Sequence, residues 1–416
     1  MSALLETNYS YQFPPTSVVA KANDQNWVSV NPSSGSTFDS DSASQIVFKI
    51  DSTSSLMRLN SCYLKYTVTP LSGGQPAGAN TSVNTTLGLA SVIQSISVRI
   101  GNTELRRVDN YPALLSMLYS SFNPTRQSFL NYTEAFNDTT VLQGGSRIVT
   151  HSLQIPVFLS AMSLPLMVVA NGIEVRITLT PAAQVFTAGG TPAVDRYRIS
   201  NASFGWEETV PSPGYVQALL SRLERGGVLH IPTLSVYSVS QYCSGGSNNV
   251  FNLDVGNATS ISSILATFVT DAAVNTQVQD KYSMFSSQGL TSYHWEVGTN
   301  RIPKNHEISY GTGANFDPES LTIQTLSTYG NVMGGQRVYY ANNTFDANQF
   351  RLGITFVSSD ETFSNGYSTL AGQGIIRLVT NHSGTIPSTS TRLVAWVFTD
   401  SLINISKDLI TYTERF

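Results

Sequence analysis

Apolar and polar residues alternate one by one along many short segments of this chain of 416 residues. The clearest segment is I-E-V-R-I-T-L-T at residues 173–180, and the same pattern recurs at 45–50, 63–69 and 95–100. Successive side chains of a β-strand point to opposite faces, so such a segment buries one face and leaves the other in water. The sequence therefore predicts an all-β protein whose strands are buried on one face.

The alternating segments fall into two sets separated by one predicted helix. Turn-forming residues at 210–214 precede a segment whose apolar residues are spaced as on one face of a helix. Gly226 and Gly227 end this predicted helix. The stripe consists of Tyr215, Val216, Leu219, Leu220 and Leu223. Alternation then resumes at 228–240, 352–356, 392–398 and 408–416. The predicted organisation is an N-terminal arm at 1–44, a first β domain at 45–209, a linker helix at 210–226 and a second β domain at 227–416.

Other helices and long loops interrupt the strands. A short helix is predicted at 111–120, where Asp109 or Asn110 serves as N-cap and Pro112 occupies the first turn. Two inserts in the second β domain, 261–285 and 318–332, are predicted to be partly helical. Loops rich in Gly, Ser, Thr and Asn are predicted at 71–86, 187–193 and 242–249. Long loops on a strand scaffold often carry contacts with partners.

Charged side chains are scarce in this chain. Asp, Glu, Lys and Arg make up 12% of the residues, about half the usual share. Charge is depleted at the centres of protein interfaces, so this composition is typical of a chain packed against neighbours. The net charge is −4, and Lys21 is the single basic residue before position 49. This balance excludes a protein that coats nucleic acid, and no sequence-specific nucleic-acid binding is expected.

Targeting signals and cysteines also narrow the possibilities. Residues 1–15 contain neither a basic region nor an apolar run of signal-peptide length, so we expect an unprocessed chain that folds in a reducing compartment. Cys62 and Cys243 are too few for a disulfide scaffold and are expected to be buried; whether they pair stays open. The charge-free stretch 148–173 contains His151 and two prolines, which makes it a poor membrane span.

The spacing of the histidines does not favour catalysis. None of them falls in an H-x-H or H-E-x-x-H pattern, so no local metal site is predicted. They are His151, His230, His294, His306 and His382. In the segment S-Y-H-W-E-V, His294 and Glu296 share one strand face and Trp295 lies on the other. The expected arrangement is a surface polar pair beside a buried tryptophan.

Adjacent acids and glycines are likewise interpreted as structural. Glu207-Glu208 and Asp360-Glu361 point to opposite faces if they lie on strands. The two carboxylates of a glycosidase must instead converge across a cleft. Gly311 and Gly313 lack the G-K-[ST] sequence of a phosphate loop, so they are predicted to form a turn.

Basic pairs complete the search for functional residues. Arg106-Arg107 and Arg222/Arg225 are the densest basic positions, and acids flank each of them. This arrangement predicts ion pairs or interface contacts. The sequence therefore predicts no catalytic, cofactor-binding or metal-binding residues, no cofactor and no enzyme activity.

The order of segments resembles that of the double jelly-roll major capsid proteins of icosahedral DNA viruses. An arm leads into the strand I-x-F-x-I, and a bridging helix leads into a second set of strands. Between them lie the segments 59–69, 91–118 and 164–182. The group includes adenovirus hexon and the capsid proteins of tectiviruses, algal large DNA viruses and virophages. The resemblance covers most of the chain and is strongest at 45–182.

The resemblance implies two eight-stranded jelly-roll sandwiches in tandem, at 45–209 and 227–416, each with its own core. It implies a homotrimer that forms a pseudo-hexagonal capsomer of an icosahedral shell in the virion. The implied partners are further copies of the chain, penton and minor capsid proteins, and an internal membrane reached by the arm at 1–30. The loops at 71–86 and 187–193 and parts of 270–345 would form towers or contacts between capsomers.

Three other functions stay open. A carbohydrate-binding β-sandwich of the fibre or adhesin type would cluster exposed aromatics on one sheet face, whereas the tryptophans at 27, 206, 295 and 396 are scattered in the sequence. A jelly-roll hydrolase would place two carboxylates about 5–10 Å apart in a groove. A single jelly-roll capsid protein with a protruding domain would not close residues 227–416 into a second roll.

Overall fold

The computed structural model describes most of the chain from residue 22 onward. The described residues are 22–42, 44–77, 82–83, 88–119, 145–159, 163–187, 194–256, 258, 260–271, 286–310, 350–356, 367–368, 375–407 and 409–414. Calls on other residues, including Gly311, Gly313, Asp360-Glu361, the segment 318–332 and most of the arm, lie outside this part of the chain.

The strands of the first half are numbered in chain order. They are β1 (Ala22–Val30), β2 (Thr37–Asp39), β3 (Gln45–Ile50), β4 (Leu56–Arg58), β5 (Tyr63–Ser72), β6 (Gln75–Pro76), β7 (Ser82–Val83), β8 (Ile93–Ile100), β9 (Thr103–Glu104), β10 (Arg147–Ser152), β11 (Ser163–Pro165), β12 (Ile173–Leu179), β13 (Phe186–Thr187) and β14 (Arg196–Pro211). Strands β1 and β2 lie within the predicted arm and both pair with β14.

The strands of the second half continue the numbering. They are β15 (Leu229–Tyr242), β16 (Asn248–Leu253), β17 (Ser260–Thr270), β18 (Leu290–Val297), β19 (Asn300–Ile302), β20 (Ile308–Ser309), β21 (Leu352–Thr355), β22 (Tyr367–Ser368), β23 (Ile376–His382), β24 (Thr391–Ile405) and β25 (Ile410–Glu414). The α-helices of the described residues are Tyr111–Tyr119, Pro156–Leu159, Ala182–Val185 and Pro213–Glu224, and short 3-10 helices span Leu59–Ser61, Gly88–Val92 and Leu166–Val168.

The second half closes as a jelly roll. One sheet, called sheet 2a, has the order β15-β24-β17-β21, and the other, sheet 2b, has the order β16-β23-β18-β19. Counted along these eight strands, the orders are first-eighth-third-sixth and second-seventh-fourth-fifth. Every pairing in these two sheets is antiparallel. Such an interleaved pair of four-stranded sheets is the jelly-roll topology.

The first half repeats this topology. Sheet 1a has the order β10-β5-β14, with β1 and β2 paired to the other edge of β14, and sheet 1b has the order β3-β12-β8-β9. Each principal strand therefore has a counterpart in the second half, with β5 matching β17 and β14 matching β24. The predicted all-β class with two jelly rolls in tandem is confirmed.

Each roll packs aromatic side chains between its two sheets. In the first roll the rings of Phe48 on β3 and Phe204 on β14 are 5.9 Å apart. In the second roll the rings of Phe251 on β16 and Phe268 on β17 are also 5.9 Å apart. Ile173 on β12 aligns with Ile50 on one neighbouring strand and with Ile100 on the other, and all three side chains are buried. The apolar residues of the predicted alternation at 173–180 thus form part of the buried face of sheet 1b.

The two rolls are joined by polar contacts around the helix Tyr111–Tyr119. At its N-terminal side, the backbone carbonyl of Asp109 accepts a hydrogen bond from Nε1 of Trp396 at 3.0 Å. The backbone N–H of Asp109 donates to the Ser238 hydroxyl, also at 3.0 Å. At its C-terminal end, the buried guanidinium of Arg351 donates to the carbonyl of Met117 at 2.8 Å. Side chains of the second roll therefore bind both ends of a first-roll helix.

Both predicted helices are found. The linker helix spans Pro213–Glu224, with the Ser212 side chain as N-cap, and it is followed by Gly226 at a φ of +84°. A left-handed conformation suits glycine and ends the helix. The helix predicted at 111–120 spans Tyr111–Tyr119. The predicted loop at 71–86 begins instead as a tight hairpin between β5 and β6, with Gly73 and Gly74 both at positive φ.

The predicted helical character of 261–285 is wrong for its first ten residues. Ser260–Thr270 is strand β17, and every residue from Ile261 to Val269 is buried. A strand covered on both faces has apolar residues on both faces, so its sequence loses the alternation that identifies a strand. The rest of that segment lies outside the described residues, apart from Asp271.

Gly172 provides a test of the turn before β12. Its φ is +65°, and an added Cβ would lie 2.0 Å from the carbonyl oxygen of Ile50. We expect Gly172→Ala to lower the free energy of unfolding by about 2 kcal/mol or more, because backbone strain and a backbone clash combine. Gly214→Ala is the control, since nothing lies within 4 Å of its added Cβ. Urea unfolding midpoints compare the two, and equal midpoints would contradict the assigned turn.

The hydrogen bond of Trp396 provides a test of the junction between the rolls. Trp396 and Trp295 are both fully buried, but among the described residues Nε1 of Trp295 has no hydrogen-bond partner. We expect Trp396→Phe to destabilise the protein by about 1 to 2 kcal/mol more than Trp295→Phe, because it also leaves the Asp109 carbonyl unpaired. Thermal unfolding of both variants measures the difference, and an equal loss would remove this bond from the junction.

Candidate functional site

Three of the histidines differ in their burial and hydrogen bonding. His151 is fully buried on β10, where its Nε2 lies 3.0 Å from the Tyr111 hydroxyl. His230 on β15 lies 2.6 Å from the Asn404 side-chain oxygen on β24. His306 is exposed. These positions place the three histidines apart on separate elements.

His382 is buried in the core of the second roll. Its ring contacts the Phe268 ring, its Nε2 lies 2.9 Å from the Thr380 hydroxyl, and its Nδ1 lies 3.1 Å from the Gln288 carbonyl. Burial lowers the pKa of His382 below its usual value, because a charged imidazolium loses its hydration there. The ring is therefore held in its neutral form.

The densest polar cluster of the described residues lies on the outer face of sheet 2b. His294 is 7% exposed, and its Nε2 is 3.5 Å from Glu296 while its Nδ1 is 3.7 Å from Glu307. Trp295, one residue away, is fully buried in the opposite direction, as the strand alternation predicts. The predicted surface position is wrong for His294, which is buried, and Glu296 is half-buried. Arg301 and Arg377 pair with Glu307 and Glu296, at 3.1 and 3.6 Å. Each of the two carboxylates is thus paired with an arginine, and His294 lies between them.

Glu307 is stabilised as a carboxylate in this cluster. The Ser292 hydroxyl donates to it at 2.6 Å and lowers the pKa of Glu307, with further lowering by the charges of Arg301 and His294. A carboxylate with a lowered pKa stays ionised and is a weak general acid. A role in holding sheet 2b together accounts for its contacts.

The adjacent acids Glu207 and Glu208 lie on β14 and do not converge. Arg58 donates to Glu207 at 2.8 Å, whereas Glu208 accepts a weak hydrogen bond from Thr53 at 3.4 Å. Neighbouring residues on a strand point to opposite faces. This pair therefore cannot supply the facing carboxylates of a glycoside hydrolase.

The basic positions make contacts within the protein. The Arg106 guanidinium lies 4.5 Å from the centre of the Tyr237 ring and donates to its hydroxyl at 3.0 Å, across the junction between the rolls. Arg107 pairs with Asp109 at 2.6 Å. Arg222 lies in the last turn of the linker helix, where a positive charge is favourable. The ion pair of Arg107 is of the predicted kind, whereas the predicted contacts of Arg222 and Arg225 stay predictions.

Both cysteines are free and buried, as expected for small apolar residues. Burial raises the pKa of the Cys62 thiol strongly and raises the pKa of Cys243 to about 11. A thiol with a raised pKa is a poor nucleophile and a poor metal ligand at neutral pH. Neither cysteine is therefore suited to catalysis.

Two cavities among the described residues are small. A cavity of about 20 Å³ lies between the rolls, lined by residues that include Leu105, Val108, Leu234 and Tyr412. A second cavity, of about 10 Å³, lies inside the first roll. Ligand pockets usually measure about 300–1,000 Å³. These cavities are the size of a water molecule.

Metal and membrane features are also missing from the described residues. In that part of the chain, no group of three or more His, Cys, Asp or Glu residues is arranged to hold a metal ion. Over the same residues, none of the helices has the length and apolar character needed to cross a membrane.

The outer face of sheet 1a carries a pair of aromatic rings, one exposed and one half-buried, that the sequence patterns did not identify. Of the four tryptophans, Trp206, Trp295 and Trp396 are buried, whereas Trp27 on β1 is 61% exposed. Its ring lies 5.9 Å from that of Tyr63 on β5. The Tyr63 ring covers Gly205 on β14, where an added Cβ would lie 2.3 Å from it. On β10, Ile148 is 63% exposed. Only the strand pairing brings these residues to one face.

Comparison with solved structures gives the same architecture over the whole chain. VP54 of PBCV-1, as fitted into a reconstruction of the virophage Sputnik, matches with a TM-score of 0.65 and 9% identity, covering 96% of this chain and 99% of VP54. The Faustovirus major capsid protein matches with a TM-score of 0.63 and 7% identity, covering 96% and 92% of the two chains. A chain of the Sputnik virophage matches with a TM-score of 0.58 and 10% identity, covering 95% and 89%.

These neighbours are double jelly-roll capsid proteins, and the likeness shows that this chain has the same fold. No protein-family model matches the sequence, and no curated protein matches it either. At 7–10% identity, the fold is what the chain shares with them. The predicted resemblance is confirmed at that level.

Because His382 is buried, the stability of the protein should depend on pH. A histidine whose pKa is lowered by folding contributes stability above its ordinary pKa of about 6.5, and this contribution is lost as the pH falls from there through the lowered pKa of the folded state. We expect the wild-type unfolding temperature to drop between pH 7.5 and 5.5, and to drop less in His382→Gln. His306→Gln, at an exposed position, should follow the wild type. A drop of the same size in all three proteins would exclude His382 as the titrating group.

Proposed function

We propose that this chain is a viral major capsid protein that self-assembles into homotrimeric, pseudo-hexagonal capsomers of an icosahedral shell. The observation that carries the proposal is the pair of topologically equivalent rolls packed side by side in one chain. Three such chains place six similar rolls around one axis, so a threefold ring can occupy sixfold positions of a lattice. The likeness to VP54 and the Faustovirus protein over nearly the whole chain supports the same role.

The contacts of the polar residues support a structural role. Glu307 and Glu296 are held in ion pairs with Arg301 and Arg377 on one sheet. Cys62 and Cys243 are buried with raised pKa values, which suits packing better than chemistry. The proposal therefore assigns no catalytic, cofactor-binding or metal-binding residue to this chain, and its product is the assembled shell in the virion.

The proposal includes the predicted division of the chain. It assigns 1–44 to an arm, 45–209 and 227–416 to the two rolls and 210–226 to the linker. The pairing of β1 and β2 with β14 supports an arm whose last part is anchored in sheet 1a. Penton proteins, minor capsid proteins and an internal membrane are the further partners proposed for the shell, with the arm as the segment that would reach inward.

The native mass of the purified protein tests the proposal. We expect light scattering to give three times the chain mass of 45.1 kDa, and electron microscopy of the same sample to show hexagonal outlines or closed shells. The physical reason is that one packed pair of rolls repeated about a threefold axis closes on itself. A stable monomer at all concentrations and salt conditions would contradict the proposal.

A further inference from the structure

The edge of sheet 2b is formed by a short segment that pairs with β18 over only a few residues. Strand β19 pairs with β18 at three positions, and β20 pairs with it at two. The loop 303–307 connects them and passes His294, which lies on β18 between the two pairings. We call residues 300–309 the edge segment. Segments held by few contacts open locally before the whole protein unfolds, so side chains contribute much of the attachment here.

The ring of His294 is a buried contact between the edge segment and the sheet. His294 is 7% exposed, and both of its ring nitrogens face carboxylates. Nε2 lies 3.5 Å from Glu296 on the same strand, and Nδ1 lies 3.7 Å from Glu307 in the edge segment. Both distances exceed those of a good N–H···O hydrogen bond. Nδ1 is buried and has no hydrogen-bond partner among the described residues.

The protonation state of this ring decides how many carboxylates it can bind. A neutral imidazole carries one N–H, so it can donate to one carboxylate while its other nitrogen turns a lone pair toward the second. An imidazolium carries two N–H groups and can donate to both. Hydrogen bonds that involve charged groups are about twice as strong as neutral ones. One added proton therefore converts two loose contacts into two strong bonds, one of them to the edge segment.

Charged groups of both signs face the ring from the elements packed around it. Among the described residues they are Glu296 on β18, Arg301 on β19, Glu307 in the loop and Arg377 on β23. The loop also carries Lys304 and His306, which are exposed. Arg301 and Arg377 have accessible side chains, so water screens their repulsion of a charged ring. The two carboxylates lie within 4 Å of the ring and offset the cost of charging a buried group.

Glu307 keeps its charge in mild acid. The Ser292 hydroxyl donates to its carboxylate at 2.6 Å, and the Asn381 side-chain amide donates at 3.1 Å. The bond from Ser292 and the neighbouring positive charges lower the pKa of Glu307 below its usual value. Histidine changes its charge between about pH 8 and pH 5. The carboxylate is therefore still ionised over the range in which the ring takes up a proton.

We propose that His294 is a proton-operated latch, which fastens the edge segment to sheet 2b when the ring becomes charged. Protonation draws Glu296 and Glu307 onto the two ring nitrogens and so joins β18 to the loop that passes it. The latch acts within one chain and does not depend on assembly. Acid then has opposite effects at two places in the second roll, because it weakens the core around His382 and tightens this edge.

Hydrogen exchange of the full-length protein tests the proposal. Amide exchange is measured by mass spectrometry at pH 7.5 and pH 5.5, on either side of the usual pKa of histidine, and is corrected for the intrinsic effect of pH. We expect the edge segment of the wild type to be about fivefold better protected at the lower pH, since hydrogen bonds to charged groups contribute more than neutral ones.

Two variants and a matched control show whether His294 causes the gain. His294→Gln cannot take up a proton and should lose the gain in protection. Glu307→Gln keeps the histidine but removes the charge of its acceptor, and it should lose most of the gain. The control His306→Gln removes an exposed histidine from the same segment and should keep the gain.

Exchange of the carbon-bound ring hydrogen of each histidine gives a second readout, because its rate reports the charge of that ring. We expect the His294 ring to become charged over the same pH range in which the edge segment gains protection. A His294 ring that stays neutral at pH 5.5, or a wild-type edge segment that gains no protection, would overturn the proposal. So would a gain retained in His294→Gln and Glu307→Gln, or an equal gain in β12 of the first roll, which would show a general effect of pH.

Discussion

Sheet 2a carries buried side chains on both of its faces, and this double burial ties the two rolls together. Burial of apolar surface contributes about 25 cal/mol per Å², so exposing Trp396 and its neighbours would cost several kcal/mol. The first roll removes that surface from water, and Asp109 satisfies the two polar groups at the edge of the contact. The second roll is therefore completed by the first, and the buried side chains of both belong to one continuous core.

The same arrangement leaves the chain with one unmatched surface. A face as apolar as that of sheet 2a would make the free chain prone to aggregation. Sheet 1a instead presents Tyr63, Thr67 and Ile148 together with the charged Lys65, a surface that a single chain can expose. The two equivalent faces therefore differ in composition, because the first roll buries one of them within the chain.

Much of the fold could be predicted from the sequence, because most strands bury one face. The alternation at Ile173–Leu179 and the apolar stripe of the linker helix gave the correct elements. Strand β17 was misassigned because burial on both faces removes its period of two. The junction could not be predicted, since Asp109 and Trp396 are 287 residues apart. The contact of the Trp27 ring with the Tyr63 ring could not be predicted either, because it depends on the positions of β1 and β5 beside β14.

The junction inside the chain also constrains the symmetry of an assembly. Head-to-tail contacts close into a ring only when each step turns by the right angle, and otherwise they generate filaments. In the proposed trimer, every second contact between rolls is fixed within the chain, by Trp396 and Arg351 against the ends of one helix. The covalent link then reduces the loss of association entropy, because three chains need two association steps where six separate rolls would need five.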